Sequence, residues 1–236
     1  MLTADRRKLK ELRRRLSHIS WFMRCLAENI ARRSNAEDEC RGRFWAGRFK
    51  MVRLLDESAL LVCSIYVDLN PIRAGVAQTP ETSRYTSAYD RIRAKQPHRG
   101  KKKPRRAKAQ RRRAASLPDG WLSPIPLAKG SADGAGRPTR RASNKGFLPV
   151  SLNDYLRLLD WTGRQVRQGK RGSIPSDLAP ILQRLQIAGE SWLEMVTEFG
   201  RWFSTAAGRV EALTIEATRR GRHWLHGSSR SREVFA

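Results

Sequence analysis

Near its start the chain places Leu9, Leu12, Leu16, Ile19, Met23, Leu26 and Ile30 at alternating spacings of three and four, the rhythm of one face of an α-helix. This predicts a single long helix over residues 4–33. Its apolar seam lasts about three heptads, enough to zip against a second helix of the chain or against another protomer. The opposite face carries Arg6, Arg7, Lys8, Lys10, Arg13, Arg14 and Arg15, which reads either as a solvated helix face or as a contact for a DNA backbone. The run SNAEDECRG at 34–42 is polar, acidic and glycine-terminated, a loop. From Arg48 the pattern changes: Arg48 and Lys50 alternate with Phe49 and Met51, the period of a half-buried strand with one basic and one apolar face. Asp56 then stands where an N-cap belongs, its carboxylate able to accept the free amide protons of a helix through Leu60, Val62, Cys63 and Val67. Pro71 is expected to stop that helix and leave Asn70 at or just past its end, because a residue before proline is pushed away from helical angles.

Beyond Gly75 the segment to about Ile92, with Arg84, Tyr85 and Tyr89, predicts a short helix beside the one that carries Tyr66. Residues 117–149 are rich in Gly, Pro and Ser around one apolar island, WLSPIPL, and read as linker. Ser151 and Asp154 make a capping box ahead of an amphipathic face of Leu152, Tyr155, Leu156 and Leu159. Further helices are expected at 177–185, 191–203 and 210–220, in a small all-α module with Trp161, Trp192 and Trp202 as core anchors.

Charge adds to this picture. The 236 residues hold 48 Lys and Arg against 22 Asp and Glu, a formal charge of +26. An excess of this size favours a polyanionic partner, since each phosphate neutralised by Lys or Arg releases condensed counterions. Nucleic acid is the first candidate and an anionic membrane surface the second. No apolar run approaches the length of a spanning helix and no signal peptide opens the sequence, so a soluble, cytoplasmic and nucleoid-associated protein is expected. The densest charge lies in HRGKKKPRRAKAQRRR at 98–113, ten Lys or Arg in sixteen residues. Such a block repels itself and cannot form a core. It is a solvated linker or an unstructured phosphate clamp whose basic side chains include Lys101, Lys102, Lys103, Arg105 and Arg106. Cys25, Cys40 and Cys63 are odd in number and lack C-x-x-C spacing, which argues against a disulfide framework and a zinc site.

The chemistry-bearing residues concentrate at 43–76. Tyr66 and Asn70 are four apart and share a helix face if the last turn holds. A tyrosine hydroxyl can attack a phosphodiester where a metal ion polarises the phosphate, and an amide oxygen is an acceptable ligand for a hard cation. The same residues equally fit a core tyrosine with a wet hydroxyl and an asparagine that caps a following turn. Phe44, Trp45 and Phe49, interleaved with Arg43, Arg48 and Lys50, fit either core packing or a platform on which bases stack.

The runs SHISWFMRCLAENIARRSN, GRFWAGRFKMVRLLDESALL and YVDLNPIRAGV resemble the C-terminal half of the single-tyrosine HUH transposases, especially the REP-associated kind and related insertion-sequence transposases. The likeness covers roughly residues 15–90 and rests on two ordered motifs, G-x-[FL]-W-x-G-R-[FY]-K at 42–50 and Y-[IV]-x-L-N-P-[IV]-R-A-G at 66–75. It implies a small mixed, ferredoxin-like sheet with flanking helices, and a nucleophile, Tyr66, that cuts single-stranded DNA beside a hairpin through a 5′-phosphotyrosine. It also implies Asn70 as a metal or positioning partner, Mg2+ or Mn2+ as cofactor, and a homodimer. Arg43, Arg48, Lys50, Arg53 and Arg73 would line the DNA. The family's metal histidines form a His-hydrophobic-His strand, and no His-x-His exists in this sequence. Its histidines are His18, His98, His223 and His226; the last two have a spacing that can bind metal but more often does not. A 5′-truncated gene, a mis-assigned start or one half of a split reading frame would give such a chain, and an inactive copy is then expected.

The expected architecture is therefore α+β and mostly α. An incomplete ferredoxin-like transposase domain, with its long N-terminal helix and tyrosine-bearing helix, occupies 1–95. A basic, Gly/Pro-rich linker follows at 96–148, then a helical domain at 149–222 and a disordered tail at 223–236. A non-catalytic, basic nucleic-acid-binding protein is the alternative to a transposase.

Overall fold

The computed structural model describes residues 5–95, 117–127, 143, 145–168, 187 and 191–235. It is mostly helical, with two short strands that pair in parallel, which fits the mostly-α class. It divides into two compact units, 1–51 and 52–236.

In the first unit the expected single helix is two, α1 (Arg6–Leu16) and α2 (Ile19–Glu37). Asp5 caps α1, its carboxylate accepting from the amides of Arg7 and Lys8. The break comes at Ser17, whose hydroxyl donates to the Arg13 carbonyl at 2.7 Å, and at His18, whose backbone is extended and starts α2. Serine bonding back to the preceding turn competes with helix continuation, and a two-residue interruption leaves the three-and-four rhythm of leucines undisturbed. No residue of either helix is buried. The strand expected from Arg48 also fails to form: residues 48–52 are irregular, and a period-two pattern becomes a strand only where a partner supplies the ladder.

In the second unit that partner appears two residues later and from far along the chain. β1 (Arg53–Leu54) pairs with β2 (Ala206–Ala207), Arg53 opposite Ala206 and Leu54 opposite Ala207. Asp56 then caps α3 (Glu57–Arg73) as its sequence position predicts, accepting from Ala59 N at 2.9 Å. Its other oxygen accepts from Arg209 N at 2.6 Å, tying the start of α3 to the start of α7 (Val210–Arg219).

Pro71 does not stop α3, which continues to Arg73. A proline inside a helix costs about 3 kcal/mol. The same two turns bury Leu69 and Ile72, each contributing about 1.5–3 kcal/mol, which is enough to offset it. The helix ends instead at Gly75, at φ +70°. Gly75 N donates to Ile72 O and Val76 N to Pro71 O, the paired bonds of a Schellman motif, which wants glycine at that left-handed position.

The domain boundaries differ from those the sequence suggested. α3 packs against α5 (Leu152–Gln168) and α6 (Trp192–Trp202), so one core takes residues from both sides of the expected linker. Leu61, Ile65 and Leu69 meet Leu158, Leu159, Trp192, Met195 and Val196 there. Part of the linker joins in: Ile125 and Leu148 are buried, and Leu127 N donates to Leu148 O. So does the expected tail, where α8 (Ser228–Val234) and its flanks bury Leu225, Val234 and Phe235. Each of these segments buries only two or three apolar side chains among many polar ones, and local composition averages them away. Ser151 caps α5 as expected, its Oγ accepting from Asp154 N, while the Asp154 carboxylate accepts from the Ser151 hydroxyl. A short helix, α4 (Ser87–Lys95), follows α3 as expected. The helix expected at 177–185 lies outside the described residues.

Candidate functional site

α3 delivers Tyr66 half-buried and Asn70 exposed, one helical turn apart. The Tyr66 ring lies on α6, with the Phe199 ring at 5.8 Å. The Arg73 guanidinium stands 4.9 Å from the centroid of the same ring, in cation–π range. Arg73 also donates from Nη2 to the Thr197 carbonyl of α6 at 2.7 Å. The phenol oxygen meets α6 at Gly200, where a Cβ would come within 3.2 Å of it. Tyr66, Arg73, Thr197 and Gly200 thus form one contact between the tyrosine helix and a helix the sequence motifs do not reach.

Asp68 lies two residues on and faces the interior. It is 2 % exposed, yet it carries a carboxylate in a row otherwise formed by Leu61, Ile65, Leu69 and Ile72. The row closes around it because every donor it needs is supplied. Ser87 at the start of α4 donates from N at 3.0 Å and from Oγ at 2.9 Å, and the buried Tyr155 hydroxyl of α5 donates at 2.7 Å. Burial first and the Asp68 charge second push the Tyr155 phenol well above its ordinary value, so Tyr155 remains a neutral donor. Three helices are fixed to one carboxylate in the middle of the Tyr66–Asn70 turn. Cys63, one turn before, has its thiol pushed up by burial, which keeps it protonated and unreactive. The sequence did carry a signal for Asp68, a charged residue at a position the helical rhythm assigns to the core.

The expected DNA contacts fall into three groups. Arg48 and Lys50 are exposed in the first unit, beside Arg43, whose Nε donates to the Trp45 carbonyl. Phe44, Trp45 and Phe49 are 41 %, 43 % and 41 % exposed, so core packing does not account for them. Trp45 is nonetheless fixed, its indole N–H donating to Ala27 O of α2 at 2.9 Å, with Phe44 edge-on at 4.8 Å. In the second unit Arg73 is held between the Tyr66 ring and Thr197, and Arg53 reaches Glu216 of α7. Lys101, Lys102, Lys103, Arg105 and Arg106 lie outside the described residues.

Among the described residues no group of three or more His, Cys, Asp or Glu side chains converges as metal ligands, at Asn70 or elsewhere. His18, His223 and His226 are exposed. The described residues around Asn70 do not assemble a Mg2+ or Mn2+ centre. No helix among the described residues is long and apolar enough to cross a membrane.

Compared with family models, with curated proteins and with solved structures, the chain matches none.

Proposed function

We propose that this chain is a DNA-binding protein of the single-tyrosine HUH transposase kind, which carries the tyrosine helix of such an enzyme and binds single-stranded or hairpin DNA without cutting it by itself. The observation that supports binding most strongly is the charge of +26, because an unbalanced excess of this size is a standing attraction for phosphate. The transposase reading rests on the two motifs around Tyr66, and it implies a ferredoxin-like domain. In that reading Tyr66 is the nucleophile: its oxygen bonds to the phosphorus, the phenol proton leaves to solvent, and the departing sugar oxygen takes up a proton as a free 3′-hydroxyl. These 236 residues contain no His-x-His, so this step awaits that strand from elsewhere.

The experiment is a gel assay with a labelled hairpin DNA carrying a single-stranded flank. The full chain is expected to shift the DNA without forming a covalent band. A band should appear once a His-x-His strand is supplied together with Mn2+, and Tyr66→Phe should abolish it. An undiminished band from Tyr66→Phe would remove Tyr66 from the role, and an absence of any shift at 50 mM salt would overturn the DNA-binding reading.

A further inference from the structure

We propose that Arg53, Arg219 and Arg220, gathered on Glu216, form a second phosphate-binding surface that takes the backbone of a nucleic acid. The proposal rests on the DNA-binding reading above and gives the C-terminal helices a part in it.

The cluster is assembled by the parallel pairing of β1 with β2, which brings residue 53 to the side of α7. Glu216 is 4 % exposed. Arg219 holds it through two bonds, Nε to Oε2 at 2.7 Å and Nη2 to Oε1 at 2.8 Å, the bidentate pairing of a guanidinium with a carboxylate. Arg220 adds one nitrogen at 2.7 Å and Arg53 one at 3.2 Å. One carboxylate therefore stands against three guanidinium groups, and the cluster keeps a net charge of +2. One guanidinium balances the charge of Glu216, so the other two leave unbalanced positive charge, and they repel one another. That repulsion becomes useful when an anion arrives. The Arg53 and Arg219 side chains are 53 % and 58 % exposed, and Arg53 engages Glu216 through only one of its three nitrogens, so donors remain for phosphate oxygens. Glu216 acts as the pin that fixes these long side chains in advance, which lowers the entropy lost on binding. Nothing in the cluster reads bases, so the contact is blind to sequence.

The test uses the full chain and two fluorescent DNA hairpins of different sequence, with affinity measured from 50 to 200 mM salt. Arg219→Gln/Arg220→Gln should weaken binding to both hairpins alike, by roughly tenfold at about 0.1 M salt for each phosphate no longer neutralised, and should flatten the salt slope by about one to two. Wild-type affinity and slope in a variant with a native circular dichroism spectrum would overturn the assignment. If the double variant fails to fold, Arg53→Gln leaves two arginines on Glu216 and is read by the same criteria. A variant that loses only stabilisation by inorganic phosphate, with DNA affinity intact, would also overturn it, since the cluster would then hold a small anion. Failure of the wild-type chain to bind either hairpin would instead sink the DNA-binding reading itself.

Discussion

Replacing Asp68 by alanine removes in one step the acceptor for the Tyr155 hydroxyl and for the Ser87 amide and hydroxyl. The Ser87 hydroxyl can turn elsewhere, but the Tyr155 oxygen is buried and the Ser87 amide is fixed at the start of α4. Each of these two orphaned donors costs about 1–3 kcal/mol, so the variant should lose roughly 2–6 kcal/mol. Against a total stability of about 5–15 kcal/mol for a domain, that is a large fraction. Tyr155→Phe removes only the donor and leaves Asp68 bonded to Ser87, a loss of about 1.5–3 kcal/mol for a hydrogen bond to a charged group. The assay is urea unfolding followed by tryptophan fluorescence, run as a double-mutant cycle. The two losses should fail to add by roughly 1–3 kcal/mol because they share one bond. A loss below about 0.5 kcal/mol for Asp68→Ala, the range of surface substitutions, would refute the role of Asp68 as the joint of three helices.

Asp56→Ala should cost roughly 2–3 kcal/mol in the same assay, about 1 from the cap and the rest from the bond to Arg209 N; a loss limited to the cap alone would deny the tie to α7. Gly200→Ala removes a helix-interior glycine, which is favourable by up to about 1 kcal/mol, but sets a Cβ 3.2 Å from the Tyr66 oxygen. It should therefore stabilise a Tyr66→Phe background more than the wild type, and equal effects in both would contradict the contact. Because the Tyr155 phenol is pushed up in the folded chain, the stability it protects is complete below its ordinary value of 10 and is lost as pH rises beyond it. The urea midpoint should accordingly fall less steeply above pH 10 in Tyr155→Phe than in wild type, and parallel curves would refute this.

Much of the local structure was legible because it depends on neighbours in sequence. Asp56 and Ser151 cap the helices that follow them, and Trp192 and Trp202 are buried as the core anchors expected of them. What escaped was set by residues far apart. A strand at Arg53–Leu54 exists because Ala206–Ala207 lies beside it, a pairing across more than 150 residues. The helix survives Pro71 because Leu69 and Ile72 are buried by other helices. The break at Ser17–His18 hides under an unbroken hydrophobic rhythm. At the candidate site, Tyr66, Asn70 and Arg73 were visible as a motif, whereas Gly200 and Thr197, which define the Tyr66 seat, carry no signal apart from the contact itself.

Salt-dependent binding of a labelled hairpin DNA to the full chain tests the proposed function most directly. If phosphate contacts drive it, log affinity should fall linearly with log salt, with a slope of about −0.7 to −0.9 for each phosphate neutralised. Affinity that does not change between 50 and 200 mM salt, or no binding at 50 mM, would contradict it.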